Sequence, residues 1–194
     1  MGPNYFLIAG LFLAALLIAG LVTTFLIVFN GLIALRNEVK KAWADIDVVL
    51  KQRYDELPNV IATVRGYAAH EQALFEKVAA ARSGYLGATD VHGKLAAEGL
   101  LAGPLRTVFA LAENYPDLKA DQNFLELQKR VSSLETEIAD RRELYNAAVN
   151  EYNTRLASLP DLAVAAMLNL QPLELFAAST AEQAGPDVPS LLNK

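Results

Sequence analysis

The chain contains no cysteine, only two histidines among its 194 residues, and no charged side chain within residues 1–35. The absence of cysteine excludes disulfides, thiol catalysis and cysteine-ligated zinc, but it is compatible with either side of a membrane. The formal net charge is −5 and no basic face is visible. Nucleic-acid binding is therefore not expected, because the phosphate backbone attracts clustered lysine and arginine.

The two histidines are weak candidates for metal or catalytic chemistry. His70-Glu71 begins like a zinc-protease motif, but the second histidine of that motif would stand at position 74, which is leucine. A di-iron site in a helical bundle needs Glu-x-x-His motifs, and neither His70 nor His92 has a glutamate three residues earlier. With no glycine-rich phosphate loop either, we expect no catalytic residue, no metal site, no cofactor and no enzyme activity.

Other polar residues point to packing rather than chemistry. Asp45 and Asp47 flank the apolar Ile46 and diverge on a helix, so we expect solvated carboxylates, with Lys41 as an alternative partner for Asp45. Four asparagines that cluster with tyrosines are Asn37, Asn146, Asn150 and Asn153. We expect them to serve packing and hydrogen bonding.

Residues 5–29, YFLIAGLFLAALLIAGLVTTFLIVF, are almost wholly apolar. A bilayer crossing needs about 20 such residues. A cleaved signal peptide has a basic start and a shorter apolar core, whereas no lysine or arginine precedes residue 36 here. The sequence therefore predicts that residues 1–35 form a retained transmembrane anchor in a lipid bilayer.

The charges near the anchor predict its orientation. The lysines and arginines that follow it most closely are Arg36, Lys40, Lys41, Lys51 and Arg53. Positive residues concentrate on the cytoplasmic side. We therefore expect the N-terminus outside and the C-terminal domain in the cytoplasm.

Apolar residues at steps of three and four predict helices after the anchor. No proline occurs between Pro3 and Pro58, so one helix over residues 4–56 is expected, with a bend at Gly31 as the alternative and a turn or helix start at Pro58. A second apolar stripe, which begins at Leu57 and ends near Arg82, predicts a second helix, and a loop is expected at 83–93, before a third helix.

Three further segments complete the expected architecture. The third helix, 94–115, contains Pro104, which predicts a kink or a late start. The fourth helix, within 124–159, has coiled-coil-like spacing and three favourable i,i+4 pairs: Glu126–Arg130, Glu137–Arg141 and Glu151–Arg155. A short C-terminal helix is expected at 161–180 and a disordered tail at 181–194.

The expected fold is thus all-α. A single N-terminal transmembrane helix continues into an antiparallel four-helix bundle that occupies residues 36–160. Small residues spaced four apart in the anchor, Gly10 with Ala14 and Ala15 with Ala19, would let two membrane helices approach closely.

Several stretches strongly resemble the LemA family of bacterial membrane proteins. They are RNEVKKAWADIDVVLKQRYDELPN (36–59), GYAAHE (66–71), AENYPDLKA (112–120) and QPLELFAA (171–178). Two departures are Gly103-Pro104, where an ordinary helical turn is expected, and 162–170, which lacks aromatic and basic residues. The resemblance covers nearly the whole chain after the anchor.

The resemblance implies one N-terminal helix in the bacterial inner membrane, a cytoplasmic helical bundle and no established enzyme activity or catalytic residue. Some relatives take part in building bacterial membrane organelles, and others associate with a heat-shock membrane metalloprotease. Two functions stay open. One is a scaffold that forms homo-oligomers at the membrane, and the other is an adaptor or accessory subunit of a larger complex, such as a membrane protease or transporter.

Overall fold

The computed structural model describes residues 3–176, with side chains from residue 6 onward, and residues 3–167 are helical apart from short connections. The elements, in chain order, are α1 (Pro3–Arg65), α2 (Gln72–Gly87), α3 (Val91–Ala110), a 3-10 turn (Leu111–Glu113), α4 (Pro116–Ala120), α5 (Gln122–Leu156) and α6 (Asp161–Met167). Residues 3–176 contain no strand, which confirms the all-α prediction for this range. The expected tail, 181–194, lies outside the described residues.

The longest element, α1, is one uninterrupted helix from Pro3 to Arg65. The prediction that the apolar segment continues as helix into the charged part of the chain is confirmed. The expectation of a turn or helix start at Pro58 was wrong, because Pro58 lies inside α1. An interior proline costs a helix about 3 kcal/mol. Leu57 and Val60, both at most 1% exposed, flank Pro58, and their burial offsets that cost.

The helix also continues through Gly31, where the sequence analysis gave a bend as the alternative. A Cβ placed on Gly31 would lie 3.3 Å from Nη2 of Arg155, so the glycine makes room for that guanidinium. Arg155 in turn donates a hydrogen bond to the carboxylate of Asp161, which is buried. Close approach of Arg155 therefore explains a helical glycine that sequence analysis treated as a weak point.

The apolar part of α1 is exposed over residues 6–27, apart from half-buried Phe25. At 1.5 Å per residue this stretch is about 33 Å long, close to the roughly 30 Å of a bilayer's hydrocarbon core. Side-chain packing begins at Val28, which is 5% exposed, and Leu32 is fully buried. Residues 28–35, which the sequence assigned to the anchor, thus include core positions, because apolarity alone does not separate lipid contact from core contact.

Among the described residues, two helical segments are long and apolar enough to cross a membrane by length and composition: Phe6–Arg65 and Val91–Glu113. They differ in burial, since 6% of the most apolar stretch is buried in the first and 39% in the second. Leu101, Leu105 and Val108 of α3 are at most 1% exposed. The second segment is therefore a core helix, which leaves the start of α1 as the candidate membrane span.

The chain divides into two compact units, and α1 and α5 contribute to both. Unit 1 comprises residues 3–44 and 143–175 of the described chain. Its main core side chains are Leu32, Val39, Tyr145, Val149, Tyr152, Leu156 and Val164. Trp43 meets Tyr145 edge to face, with ring centroids 5.9 Å apart.

Unit 2 comprises residues 45–142 and Phe176. Its largest fully buried side chains are Tyr54, Phe124, Ile46, Leu50, Leu57, Leu101, Leu105, Leu118, Ile138 and Val60. They come from α1, α3, α4 and α5, and α2 adds Phe75, Val78 and Tyr85. All five of these helices therefore bury apolar side chains in this unit.

The connection between α2 and α3 is shorter than expected. The sequence predicted a loop over 83–93, but α2 extends to Gly87 and α3 begins at Val91. Asp90 caps α3 by accepting the Gly93 N–H at 2.6 Å. The late start at Pro104 was also wrong, because α3 continues through Pro104 between buried Leu101 and Leu105. Capping and burial therefore set the ends of these helices, and the glycine and proline content predicted them incorrectly.

The salt bridges on α5 agree only in part with the sequence spacing. Glu137–Arg141 forms, with 3.0 Å between Arg141 Nη2 and Glu137 Oε1. Arg130 instead pairs with Glu56 of α1, with 2.8 Å between Arg130 Nε and Glu56 Oε1. Arg155 pairs with Asp161 rather than with the predicted Glu151. Partners brought near by folding thus replace two of the three local pairs.

Of the segment predicted as a C-terminal helix, 161–180, the structure describes residues 161–176, and within them the helix is α6. Asn169 has a φ of 50°, a left-handed conformation that ends a helix. Residues 171–176 have no regular secondary structure. Asn153 of α5 holds this stretch, because its side-chain amide donates to the Leu173 carbonyl at 2.8 Å and accepts the Leu173 N–H at 2.9 Å.

The start of α5 is capped by Asp121, which gives a pH prediction. Asp121 accepts the Phe124 N–H at 2.8 Å and the Tyr67 hydroxyl at 2.8 Å. These bonds, with the Phe124 N–H as the main cause, lower the pKa of Asp121. A lowered pKa contributes stability above the ordinary value of about 3.9 and loses it as pH falls through the folded-state value. Asp121→Ala should therefore lower the urea midpoint at neutral pH, and less so below about pH 4.

Asp117→Ala is the matched control, since Asp117 is an exposed carboxylate in the first turn of the neighbouring helix α4. Its urea midpoint should stay near that of the unaltered chain at both pH values. A midpoint difference for Asp121→Ala that is the same at neutral and acid pH would contradict the capping role of the ionised carboxylate.

Candidate functional site

A buried ion cluster in unit 2 joins three helices. Glu98 of α3 accepts from Arg53 of α1 on one carboxylate oxygen and from Arg142 of α5 on the other. The distance from Arg142 Nη2 to Glu98 Oε1 is 2.9 Å. The side chains of Arg53 and Glu98 are 4% and 6% exposed, and that of Arg142 is 16% exposed. A charge this deeply buried requires a partner, and here one carboxylate serves two guanidinium groups.

The same unit contains an aromatic and ionic network, one member of which, Tyr54, directly follows Arg53 in the chain. The rings of Tyr54 and Tyr85 stack with centroids 4.1 Å apart. The Tyr85 hydroxyl donates to Asp47 Oδ1 at 2.7 Å, and Lys94 Nζ donates to both oxygens of Asp47 at 2.6 and 2.7 Å. Burial raises the pKa of both tyrosines, and for Tyr85 the bond to Asp47 raises it further. Both phenols therefore stay protonated near neutral pH.

The ion cluster lines a cavity of about 230 Å³. Arg53, Glu98 and Arg142 form part of its wall, together with Arg106 of α3 and Glu135 of α5. The apolar side chains Phe109 and Ile138 complete one part of the lining. The Phe176 ring covers Arg142, with 4.3 Å between the ring centroid and the guanidinium carbon.

The charged side chains of the wall determine what the cavity offers chemically. Among the described residues that line the cavity, the charged side chains are arginines and glutamates, and none is a serine, threonine, lysine or histidine. Arginine stays protonated, and its guanidinium recognises carboxylate or phosphate oxygens in pairs. Chemically, the cavity therefore offers fixed positive charge and directed N–H donors.

The two histidines that were considered as metal or catalytic candidates do not line this cavity. His70 is exposed in the connection between α1 and α2, and His92 is exposed in the first turn of α3. Within residues 6–176, no three histidine, aspartate or glutamate side chains come together in a way that would hold a metal ion. The expectation of no catalytic, cofactor or metal residue stays a prediction.

The two aspartates that flank Ile46 have different surroundings. Asp47 was expected to be solvated, but it is partly buried, and Lys94 and Tyr85 bond to it. The Asp45 side chain is 47% exposed, in agreement with a solvated carboxylate, and Arg141 Nη1 lies 4.0 Å from it. Partners on distant parts of the chain explain the difference at Asp47, since helix spacing shows only neighbours on the same helix.

Sequence reasoning missed the cluster of Arg53, Glu98 and Arg142. One signal was available, because Glu98 is the only charged residue in the run LAAEGLLAG (95–103). If such a carboxylate is buried with the apolar residues around it, it needs a charged partner. Nothing in the sequence indicates which arginines meet it, since Arg53 and Arg142 lie 45 and 44 residues away.

A sequence profile of the LemA family matches residues 42–189, more than half of the chain. The chain belongs to the LemA family. The matched range includes Arg53, Glu98 and Arg142, so the buried cluster lies within the family region of this LemA-family chain. The resemblance stated from the sequence is therefore confirmed.

Three curated relatives show how distant the likenesses are. Magnetosome protein MamQ 2 of Paramagnetospirillum magneticum is 22% identical over 174 aligned residues, which cover 76% of this chain and 64% of the relative. Magnetosome protein MamQ of Magnetospirillum gryphiswaldense is 21% identical, covering 90% of this chain and 73% of the relative. Protein LemA of Metamycoplasma hominis is 28% identical, covering 84% and 75%.

The chain thus spans less than two thirds of the length of the first of these relatives. Neither the family name nor the names of these three relatives is the name of an enzyme.

Proposed function

We propose that this LemA-family protein is a membrane-anchored, non-enzymatic helical protein that self-assembles and acts as a scaffold at the cytoplasmic face of the bacterial inner membrane. The observation that carries the proposal is the exposed apolar surface of α1 over residues 6–27. Exposed side chains there include Phe6 at 74%, Leu11 at 73% and Leu21 at 72%. An apolar surface of this length and continuity is stable in a bilayer and not in water.

The part of the chain outside the bilayer is proposed to be an antiparallel four-helix bundle. Four long helical segments contribute to the core of unit 2: residues 45–65 of α1, α2, α3 and residues 122–142 of α5. The connections from α1 to α2 and from α2 to α3 are short, which favours antiparallel neighbours.

Self-assembly is supported by the small residues of the candidate span. A Cβ added to Gly10 would meet nothing within 4 Å, so this face of α1 is open to a neighbour. Gly10 with Ala14 and Ala15 with Ala19 provide the spacing that lets membrane helices pack closely. A common membrane also raises the effective concentration of the copies. Relatives named magnetosome proteins are compatible with a part in a larger structure.

The test is the mass of the full chain in a mild uncharged detergent, measured by light scattering after gel filtration. We expect a multiple of 21.0 kDa at micromolar protein. Gly10→Leu should lower the mass toward the monomer, because the added side chain blocks close approach. Gly20→Leu is the matched control, since Gly20 also has open surroundings but lies about 80° away around the helix. A strict monomer for the unaltered chain would oppose assembly.

The proposed orientation has a separate test. Because the lysines and arginines follow the apolar segment, a reporter fused after Lys194 should be active when it is of a cytoplasmic type and inactive when it is of a periplasmic type. Fusions to a single-span protein of known topology calibrate the two reporters. Activity of the periplasmic reporter after Lys194 would contradict the orientation.

A second candidate function, as an adaptor or accessory subunit of a membrane protease or transporter complex, is favoured by a different observation. In unit 1, Leu159 is 80% exposed, Met167 is 75% exposed and Leu162 is 47% exposed. These apolar side chains lie close together in the chain around α6. Crosslinking in native membranes should then recover a different protein in a fixed ratio. Recovery of crosslinks only between copies of this chain would oppose the adaptor and favour the scaffold.

A further inference from the structure

The cavity lined by Arg53, Arg106 and Arg142 carries an inference beyond the scaffold role. Arg53 is buried, yet its Nε makes no hydrogen bond to any of the described residues. Another nitrogen of the same guanidinium, Nη2, already donates a hydrogen bond to Glu98. A buried N–H donor without an acceptor destabilises the folded protein. The residue that carries this unsatisfied donor lines a cavity, so an acceptor that entered the cavity and reached Nε would satisfy it.

Arg106 supplies a second available cation on the same cavity wall. It is exposed, and it forms no ion pair within the described part of the chain. Unlike Arg53, it is not needed to neutralise Glu98. An anion in the cavity would thus meet a buried N–H on one side and a solvent-facing guanidinium on another.

The charge of the cavity wall favours an anion. Three arginines and two glutamates line it, which gives a formal charge of +1. The Glu98 carboxylate is already shared between Arg53 and Arg142. Positive charge and N–H donors in a partly desolvated cavity select oxygen anions, because charge-assisted bonds from guanidinium groups are strong and often paired.

The volume limits the ligand to a small molecule. Pockets for drug-sized ligands hold about 300–1,000 Å³. This cavity, at about 230 Å³, falls below that range. It has room for a compact anion and the apolar group next to it, and Phe109 and Ile138 offer apolar contact for such a group.

We propose that this cavity is a binding site for a small soluble anion that carries a carboxylate or phosphate group. Arg53 Nε and Arg106 bind its oxygens, and Glu98 holds Arg53 and Arg142 in position. The site belongs to unit 2 alone, so it does not depend on whether copies of the chain assemble.

The test titrates the full chain in an uncharged detergent with inorganic phosphate and, separately, with acetate, by isothermal calorimetry. Sodium chloride at matched ionic strength is the blank, because it separates specific binding from screening. We expect saturable binding of at least one of the two probes with a stoichiometry of one per chain. Absence of binding by both probes up to about 10 mM, which corresponds to an affinity weaker than about −3 kcal/mol, would overturn the proposal.

Variants locate the binding. Arg106→Ala should weaken the affinity about tenfold or more, because it removes a charged donor without disturbing a buried pair. Lys129→Ala removes an equivalent exposed charge on α5, outside the cavity, and should leave the affinity unchanged. Equal affinity of the Arg106→Ala protein and the unaltered protein would contradict the site.

Arg53→Lys is the second variant, because it keeps the buried charge beside Glu98 but removes the Nε donor. Its helical circular dichroism shows whether it folds, and the folded protein should bind the probe at least about tenfold more weakly. A lipid headgroup is the other source of a phosphate group. Binding seen only with vesicles that contain phosphatidylglycerol, and not with free phosphate or acetate, would overturn the assignment to a soluble ligand.

Discussion

Replacing Glu98 by glutamine is expected to lower the free energy of unfolding by about 3–5 kcal/mol, the usual cost of removing one partner from a buried ion pair. Glu98 is the acceptor for both Arg53 and Arg142, and Arg53 is 4% exposed. Glutamine keeps the shape but not the charge, so Arg53 and Arg142 both lose their ion pair with Glu98. Urea unfolding of the full chain in detergent, followed by far-ultraviolet circular dichroism, measures the change.

Glu143→Gln is the matched control, because Glu143 is an exposed glutamate next to Arg142 on α5. Exposed charges contribute about 0–1 kcal/mol, so this variant should unfold close to the unaltered chain. A triple replacement, Arg53→Met with Glu98→Leu and Arg142→Met, should recover much of the lost stability, since apolar residues of similar size can replace a buried ion cluster. A loss below about 1 kcal/mol for Glu98→Gln would contradict the cluster as described.

Removing residues 1–27 is expected to move the protein from the membrane fraction to the soluble fraction. The removed stretch holds the exposed apolar residues of α1, and each Leu, Ile, Phe or Val at the centre of a span favours the membrane by about 0.3–0.6 kcal/mol. The shortened chain keeps Val28 and Leu32, so both units should stay folded. Ultracentrifugation of lysates after carbonate treatment, with circular dichroism of the soluble product, measures both outcomes.

A second shortened chain, which begins at residue 36, tests whether the anchor ends at residue 27, as burial indicates, or at residue 35, as the sequence predicted. It also lacks Val28 and Leu32, which are 5% and 0% exposed. Loss of a buried leucine side chain costs about 2–5 kcal/mol, so this version should be soluble but markedly less stable. Equal stability of the two shortened chains would show that residues 28–35 do not contribute to the core. Retention of both chains in the membrane fraction would contradict the anchor.

The long helices were predictable because their apolar residues recur at helical spacing over many turns. The continuity of α1 and the extent of α5 follow from this periodicity and from the scarcity of proline. Short-range signals gave wrong boundaries where packing opposed them. Pro58 and Pro104 are both inside helices, next to buried Leu57 and Leu105. Tertiary packing outweighs a local penalty of a few kcal/mol, and the sequence does not display that packing.

The candidate site was less predictable than the fold. Its members are ordinary arginine and glutamate residues, far apart in the chain, without a motif spacing. Helix spacing identifies partners one turn apart, and it therefore predicted Glu126 for Arg130, whereas folding gives Arg130 the partner Glu56. Charge pairs between helices depend on which faces meet, and that information enters only with the three-dimensional structure.

Cysteine labelling of membranes tests the central claim most directly, because the chain itself has no cysteine. Leu16→Cys lies in the candidate span and Leu144→Cys lies on α5, and the two leucines have similar exposure within the protein, 55% and 62%. In inverted membrane vesicles, a water-soluble maleimide should label position 144 and not position 16, and both should react after denaturation in detergent. Equal labelling of the two positions in intact vesicles would contradict a membrane-embedded α1.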